Sequence, residues 1–332
     1  MHFRWQTWWP ILKTLIGLAI IACVGWQFWK ILSQEGIWQI SLAAHAPSLV
    51  VAGGLYLLGL ACSALFWHRL LLSLGQQPTL GSTFRAYYIG QLGRYIPGKA
   101  VGVVMRSRLL AGPRVRGDVA AMTVVYESLT TMTAGALVAS LLFTFQEWGA
   151  SRSGWQALIL LAVFGILILP GVFNPLVDRL AAPFRKEEKT PLPCVHWSTL
   201  LCGLALAACG WAIQGLGLGV VVSALLPDPP AWSWAAWMHY TAFLALANVA
   251  GFLIVFVPYG LGVREVLLQS LLAANLVYAL SPEQANSTAV LAVLLLRLVS
   301  LISDLVVAGI AYGTGLRGKV PEALASENKY PR

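Results

Sequence analysis

Long apolar runs separated by short polar loops set the pattern of this chain. They lie at residues 10–32, 47–74, 119–145, 155–177, 198–226, 234–257 and 285–316, with a shorter run at 264–280. A helix needs about 20 apolar residues to cross a hydrocarbon core of about 30 Å. The pattern therefore predicts an all-α, polytopic integral membrane helical bundle of about eight transmembrane helices, if the short run also crosses. Arg4, ahead of the first run, and Lys13, near its start, are placed as they would be in a signal peptide. That run continues to Leu32 without a small-residue cleavage site, so it reads as a retained span. One membrane domain is expected over residues 1–320, with halves at 45–150 and 198–316, followed by a short polar tail at 321–332.

Two stretches break the pattern. In YYIGQLGRYIPGKAVGVVMRSRLL, residues 87–110, Phe84, Tyr87, Tyr88, Gln91, Leu92 and Tyr95 form an aromatic helical face up to Pro97-Gly98. Proline removes a backbone donor and glycine loosens the chain, so the helix is expected to stop or kink near Pro97. Irregular backbone at membrane depth persists only inside protein or beside a watery cavity. The economical geometry is a re-entrant hairpin, entering and leaving on one side. FVPYGLGVREVLLQSLL, residues 256–272, repeats the theme with Pro258, Gly260 and Gly262 ahead of Arg264 and Glu265. Paired broken segments in two halves point to an inverted repeat with a site between the halves.

Charge orients the bundle. From Arg69 to Arg116 every charged residue is basic: Arg69, Arg85, Arg94, Lys99, Arg106, Arg108, Arg114 and Arg116. Positively charged loops stay on the cytoplasmic side, which puts this region and both termini there, as in a bacterial inner membrane protein. The net charge of +9 accompanies a 58% hydrophobic composition, so anionic lipid rather than nucleic acid is the expected partner. Tryptophans such as Trp5, Trp148, Trp197 and Trp234 cluster at proposed span ends, as interfacial anchors do. The five cysteines form no CxxC pair and the histidines are scattered singly, so no metal, disulfide framework or cofactor is expected.

A helix start exposes amides that suit a lipid phosphate, and arginine can grip one with parallel donors. Arg94, Lys99 and Arg106 beside the first break, with Pro97 and Gly98 shaping it, and Arg264 beside the second, are thus headgroup-binding candidates. Topology signalling is the alternative reading of the same cations, and the one favoured for Arg85, Arg114 and Arg116. Glu127 lies about 12–14 Å along its span at helical rise. Arg297 sits near the middle of the last span, with Asp304 two turns later. Charges at that depth cost about 2.5–3.5 kcal/mol each on insertion scales and are usually paired or face a cavity. Two readings stand: an ion pair of Arg297 with Glu127 or Asp304 that secures packing, or a polar pathway lined by Glu127, Glu265, Arg297 and Asp304. Tyr126, Ser128, Thr130 and Thr131 would add lining to such a pathway.

GQLGRYIPGKAVGVVMRSRLL followed by Glu127, and PYGLGVREVLLQSLL followed by Arg297, resemble the flippase-like transmembrane region of the lysylphosphatidylglycerol synthase family and its stand-alone relatives. The resemblance spans roughly residues 45–316, and Arg94 to Lys99 is its specific core. It implies a helical bundle with re-entrant segments that, in the full-length synthases, moves aminoacylated phosphatidylglycerol between leaflets. Functional weight then falls on Arg94, Pro97, Gly98, Lys99, Arg106, Glu127, Pro258, Gly260, Gly262, Arg264, Glu265 and Arg297. Tyr259 departs from the family pattern, where glycine is expected, which bears on the shape of the second turn. No soluble aminoacyl-transfer domain is seen, so the synthase activity is not carried over. The expected function is binding of an anionic lipid or lipid-linked precursor and assistance of its translocation. An intramembrane transferase acting on polyprenyl-phosphate or glycerolipid substrates and a non-catalytic membrane scaffold are the alternatives.

Overall fold

The computed structural model describes residues 42–95, 100–145, 195–226, 233–253 and 262–313, together with isolated positions elsewhere. The described segments form α1 (Leu42–Ser73), α2 (Leu80–Gln91), a 3-10 turn (Leu92–Tyr95), α3 (Ala100–Leu110), α4 (Gly117–Phe145), α5 (Trp197–Leu225), α6 (Trp234–Leu253), α7 (Val263–Leu276) and α8 (Pro282–Gly313). Five of these, α1, α4, α5, α6 and α8, are long and apolar enough to cross a membrane. The chain is therefore an all-α integral membrane bundle. The proposed spans at 10–32 and 155–177 and the tail at 321–332 lie outside the described residues.

The other three helices are short. At 12, 11 and 14 residues, α2, α3 and α7 reach only about 16–21 Å, less than the thickness of a hydrocarbon core. The 264–280 segment therefore does not cross as a single helix. Its ordered helix ends at Leu276, where a turn leads into α8.

α2 and α3 pack as a hairpin of short helices, and its two ends meet. Gln77 donates its amide to the Arg114 carbonyl at 3.1 Å, and the Arg116 amide donates to Gln76 Oε1 at 2.8 Å. Thr79 starts α2 as an N-cap, its hydroxyl accepting from the Ser82 amide at 3.2 Å. α2 gives way at Gln91 to the 3-10 turn, before Pro97 rather than at it. Close approach of the two arms accompanies that early end: a Cβ on Gly93 would lie 2.8 Å from Gly102 Cα.

α8 begins with a polar first turn that hydropathy alone placed outside the span. Pro282 follows Ser281, and Ser281 and Gln284 exchange amide-to-side-chain hydrogen bonds at 3.4 Å, a reciprocal cap. Elsewhere the bundle is held by small residues. α1 and α5 run antiparallel, with Gly59 against Gly210, Ala52 against Gly217 and Phe66 over Gly203. Lipid supplies little hydrophobic drive between helices, so such close contacts do much of the cohesion. α8 lies against α1, α2, α5 and α7.

A Cβ on Gly210 would stand 2.8 Å from the Gly59 carbonyl oxygen, a backbone atom with no rotamer to yield, whereas one on Gly54 meets nothing within 4 Å. Gly210→Val should therefore lower detergent-solubilised thermal stability by about 1–3 kcal/mol, and Gly54→Val should leave it nearly unchanged. Thermal unfolding followed by size-exclusion recovery measures both.

Candidate functional site

Among the described residues, three ion pairs join different elements. Arg94, in the 3-10 turn, forms an ion pair with Asp304 on α8, which has no exposed surface. The guanidinium also donates to the Tyr56 hydroxyl of α1 and, at 3.2 Å, to the Tyr95 hydroxyl. Both phenols in turn donate to the carboxylate: Tyr56 to Oδ1 at 3.0 Å and Tyr95 to Oδ2 at 2.7 Å. The guanidinium lies 5.2 Å from the Tyr95 ring centre and 5.7 Å from that of Tyr56. Two other elements thus converge on one carboxylate of α8.

A second cluster ties α3 to α4. Arg106 donates to Glu127 Oε2 at 2.8 Å, and Glu127 also accepts from Tyr87 at 3.2 Å and Thr131 at 3.3 Å. Ser128 lies at the limit of bonding, 3.5 Å. The guanidinium stacks 4.0 Å from the Tyr87 ring centre, a cation–π contact, with Trp67 at 5.9 Å. Gly90 makes this reach available, because a Cβ there would lie 2.3 Å from Arg106 Cγ. Arg106 and Glu127 are both buried.

The third pair joins α7 to α8. Gly262, at φ +89°, turns the chain into α7 and donates its amide to Glu265 Oε2 at 2.7 Å. The other Glu265 oxygen accepts from Arg297 at 2.9 Å. Glu265 is both a first-turn cap and an ion-pair partner. Arg264, Glu265, Leu268, Val293, Leu296 and Arg297 line a small crevice here.

These pairings correct two sequence expectations. Arg297 binds neither Glu127 nor Asp304; it pairs with Glu265, while Glu127 takes Arg106 and Asp304 takes Arg94. The reason is geometric: the hairpin brings its own cations to the two carboxylates, and α7 brings an acid to Arg297. Of the proposed lining around Glu127, Ser128 and Thr131 face it, whereas Tyr126 packs in an apolar cluster with Phe66 and Leu70. The Thr130 hydroxyl is buried without a hydrogen-bond partner. Pro97, Gly98, Lys99, Pro258, Tyr259 and Gly260 lie outside the described residues.

The tyrosines are the residues sequence reasoning underweighted. Tyr87 and Tyr95 read as an aromatic face, yet their hydroxyls solvate buried carboxylates; Tyr56 carried no signal beyond a hydroxyl inside an apolar run. Arg85 has a structural role, donating to the Ala311 carbonyl at 3.1 Å in the last turn of α8. A cation there also suits the negative end of the helix.

The fold and these clusters define a polytopic membrane protein with a hairpin of short helices clasped by buried ion pairs. The chain belongs to the family described as the lysylphosphatidylglycerol synthase TM region, whose sequence model matches residues 14–308. No curated protein matches the chain. Family membership makes it a membrane protein related to lipid handling.

Removing one partner of a buried pair strands the other charge and costs about 3–5 kcal/mol, whereas removing both can be nearly neutral. Arg106→Ala should therefore destabilise the detergent-solubilised protein more than Arg106→Ala combined with Glu127→Ala. A double-mutant cycle of thermal stabilities tests this; additive losses would contradict the pairing.

Proposed function

We propose that the protein binds an anionic phospholipid or a lipid-linked phosphate precursor and assists passage of its headgroup between leaflets. The observation that carries this reading is the placement of the ion pairs. Arg94–Asp304, Arg106–Glu127 and Arg297–Glu265 each join a short helix or the adjoining turn to a spanning helix, within a family related to lipid handling. A guanidinium that donates to a carboxylate can donate to a phosphate in its place, because both anions offer a pair of oxygens to its fork. Headgroup passage then consists of exchanging one anion for another.

Arg94 is the foremost headgroup ligand. Its side chain keeps 16% of its surface open against 9% for Arg106, and it sits immediately before the Pro97-Gly98 segment with Lys99 close in sequence. Arg106 holds the hairpin on α4. Arg264 and Arg297, at the crevice beside α7, are the corresponding cations of the second half. The basic stretch from Arg69 to Arg116 supports a location in a bacterial inner membrane, with this end and both termini cytoplasmic.

A scaffold reading has its own support, since the three guanidinium groups are already neutralised by carboxylates. Leaflet exchange of fluorescent phosphatidylglycerol in phosphatidylcholine vesicles separates the two. The folded protein should accelerate exchange. Arg94→Ala should slow it roughly tenfold or more, the worth of a charged hydrogen bond. Arg114→Ala, at an exposed position, should change it less than about twofold. Equal rates for Arg94→Ala and the unaltered protein would favour the scaffold, and no acceleration by folded protein would overturn translocation.

A further inference from the structure

The Arg94–Asp304 cluster carries a consequence for energy coupling, which rests on the translocation reading above. Asp304 is enclosed completely, and its ion pair with Arg94 is electrically neutral. If Arg94 turns to a phosphodiester, the assembly gains one negative charge and Asp304 is left ionised inside the bundle. Neither is tolerable without a compensating positive charge. We propose that a proton supplies it, so that each monoanionic headgroup is carried with one proton bound at Asp304.

The surroundings of the carboxylate suit this exchange. From α1 comes Tyr56, from the turn Arg94 and Tyr95, and from α2 Tyr88, which hydrogen-bonds the Leu57 carbonyl, and Arg85, which is engaged at Ala311. α5 carries no acidic, basic, His or Tyr residue, and the charges of α7, Arg264 and Glu265, belong to the crevice about two turns away along α8. A phenol donates or accepts equally well. With Asp304 ionised, Tyr56 and Tyr95 donate to it; with Asp304 protonated, its new O–H donates to one phenol oxygen while the other phenol continues to donate. The carboxyl group thus stays solvated in both forms after Arg94 has left. Arg106–Glu127 is unsuited to the same role because the arginine stem is pinned over Gly90.

The sequence of events balances. On one face, a proton from water binds Asp304 Oδ2 and the guanidinium of Arg94 transfers to the phosphodiester. On the other face, the lipid departs, the proton returns to water and the ion pair reforms. One proton and one monoanion cross together, so the net charge moved is zero. Transport should then respond to a pH gradient and ignore a membrane potential.

Proteoliposomes of phosphatidylcholine with fluorescent phosphatidylglycerol test this. At equilibrium, a gradient of about one pH unit should produce a roughly tenfold leaflet ratio, with lipid accumulating on the alkaline side. A potassium–valinomycin potential without a pH gradient should produce none. Asp304→Asn, which can neither bind nor release the proton, should lose the gradient-driven asymmetry. Exchange by the unaltered protein that pH gradients do not bias, or that a potential does bias, would overturn proton coupling while leaving translocation intact. Gradient response retained by Asp304→Asn would remove Asp304 as the carrier. Absence of any exchange by folded, unaltered protein would overturn both readings.

Discussion

An ionised group at membrane depth has no water to turn to, and the polar architecture of this bundle follows from that constraint. Asp304 is the clearest case. It is fully enclosed on a spanning helix, and an arginine and two phenols from two other elements are drawn to it. Satisfying one carboxylate fixes where the hairpin turn sits against α8 and α1. The same demand at Glu127 fixes α3 against α4, and at Arg297 it fixes α7 against α8.

α8 occupies a particular place in this scheme. Arg297 and Asp304 lie about two turns apart on it, roughly 10 Å at helical rise. The first holds α7; the second holds the turn between α2 and α3. Arg85 adds a contact at the C-terminal end of α8. A shift of α8 relative to either partner would therefore be felt at both ion pairs, a physical basis for coordination between α7 and the hairpin.

Much of the fold was legible because lipid imposes a simple rule on sequence. The spans α1, α4, α5, α6 and α8 follow hydropathy to within a few residues. The discrepancy at α8 arose because a capped first turn of Ser281 to Gln284 is polar. The hairpin was also legible, since a run of cations and a Pro-Gly break leave few alternatives. Pairing was not. Arg94 and Asp304 are separated by 210 positions, and which helix face meets which depends on small-residue seams such as Gly59 against Gly210. Hydropathy is blind to that rotation, so it cannot show that Arg297 meets Glu265 of α7 rather than Glu127 or Asp304. The tyrosines were overlooked for a related reason: an aromatic in a membrane sequence resembles packing until its hydroxyl is given an address.

If the ion pairs are exchangeable rather than merely cohesive, neutralising Asp304 must strengthen the grip on anionic lipid by releasing Arg94. Native mass spectrometry of lipids retained through purification examines this without depending on transport. Exchangeable pairing predicts more bound anionic lipid for Asp304→Asn than for the unaltered protein, and less for Arg94→Ala. Identical lipid profiles for all three, with each folded, would contradict it.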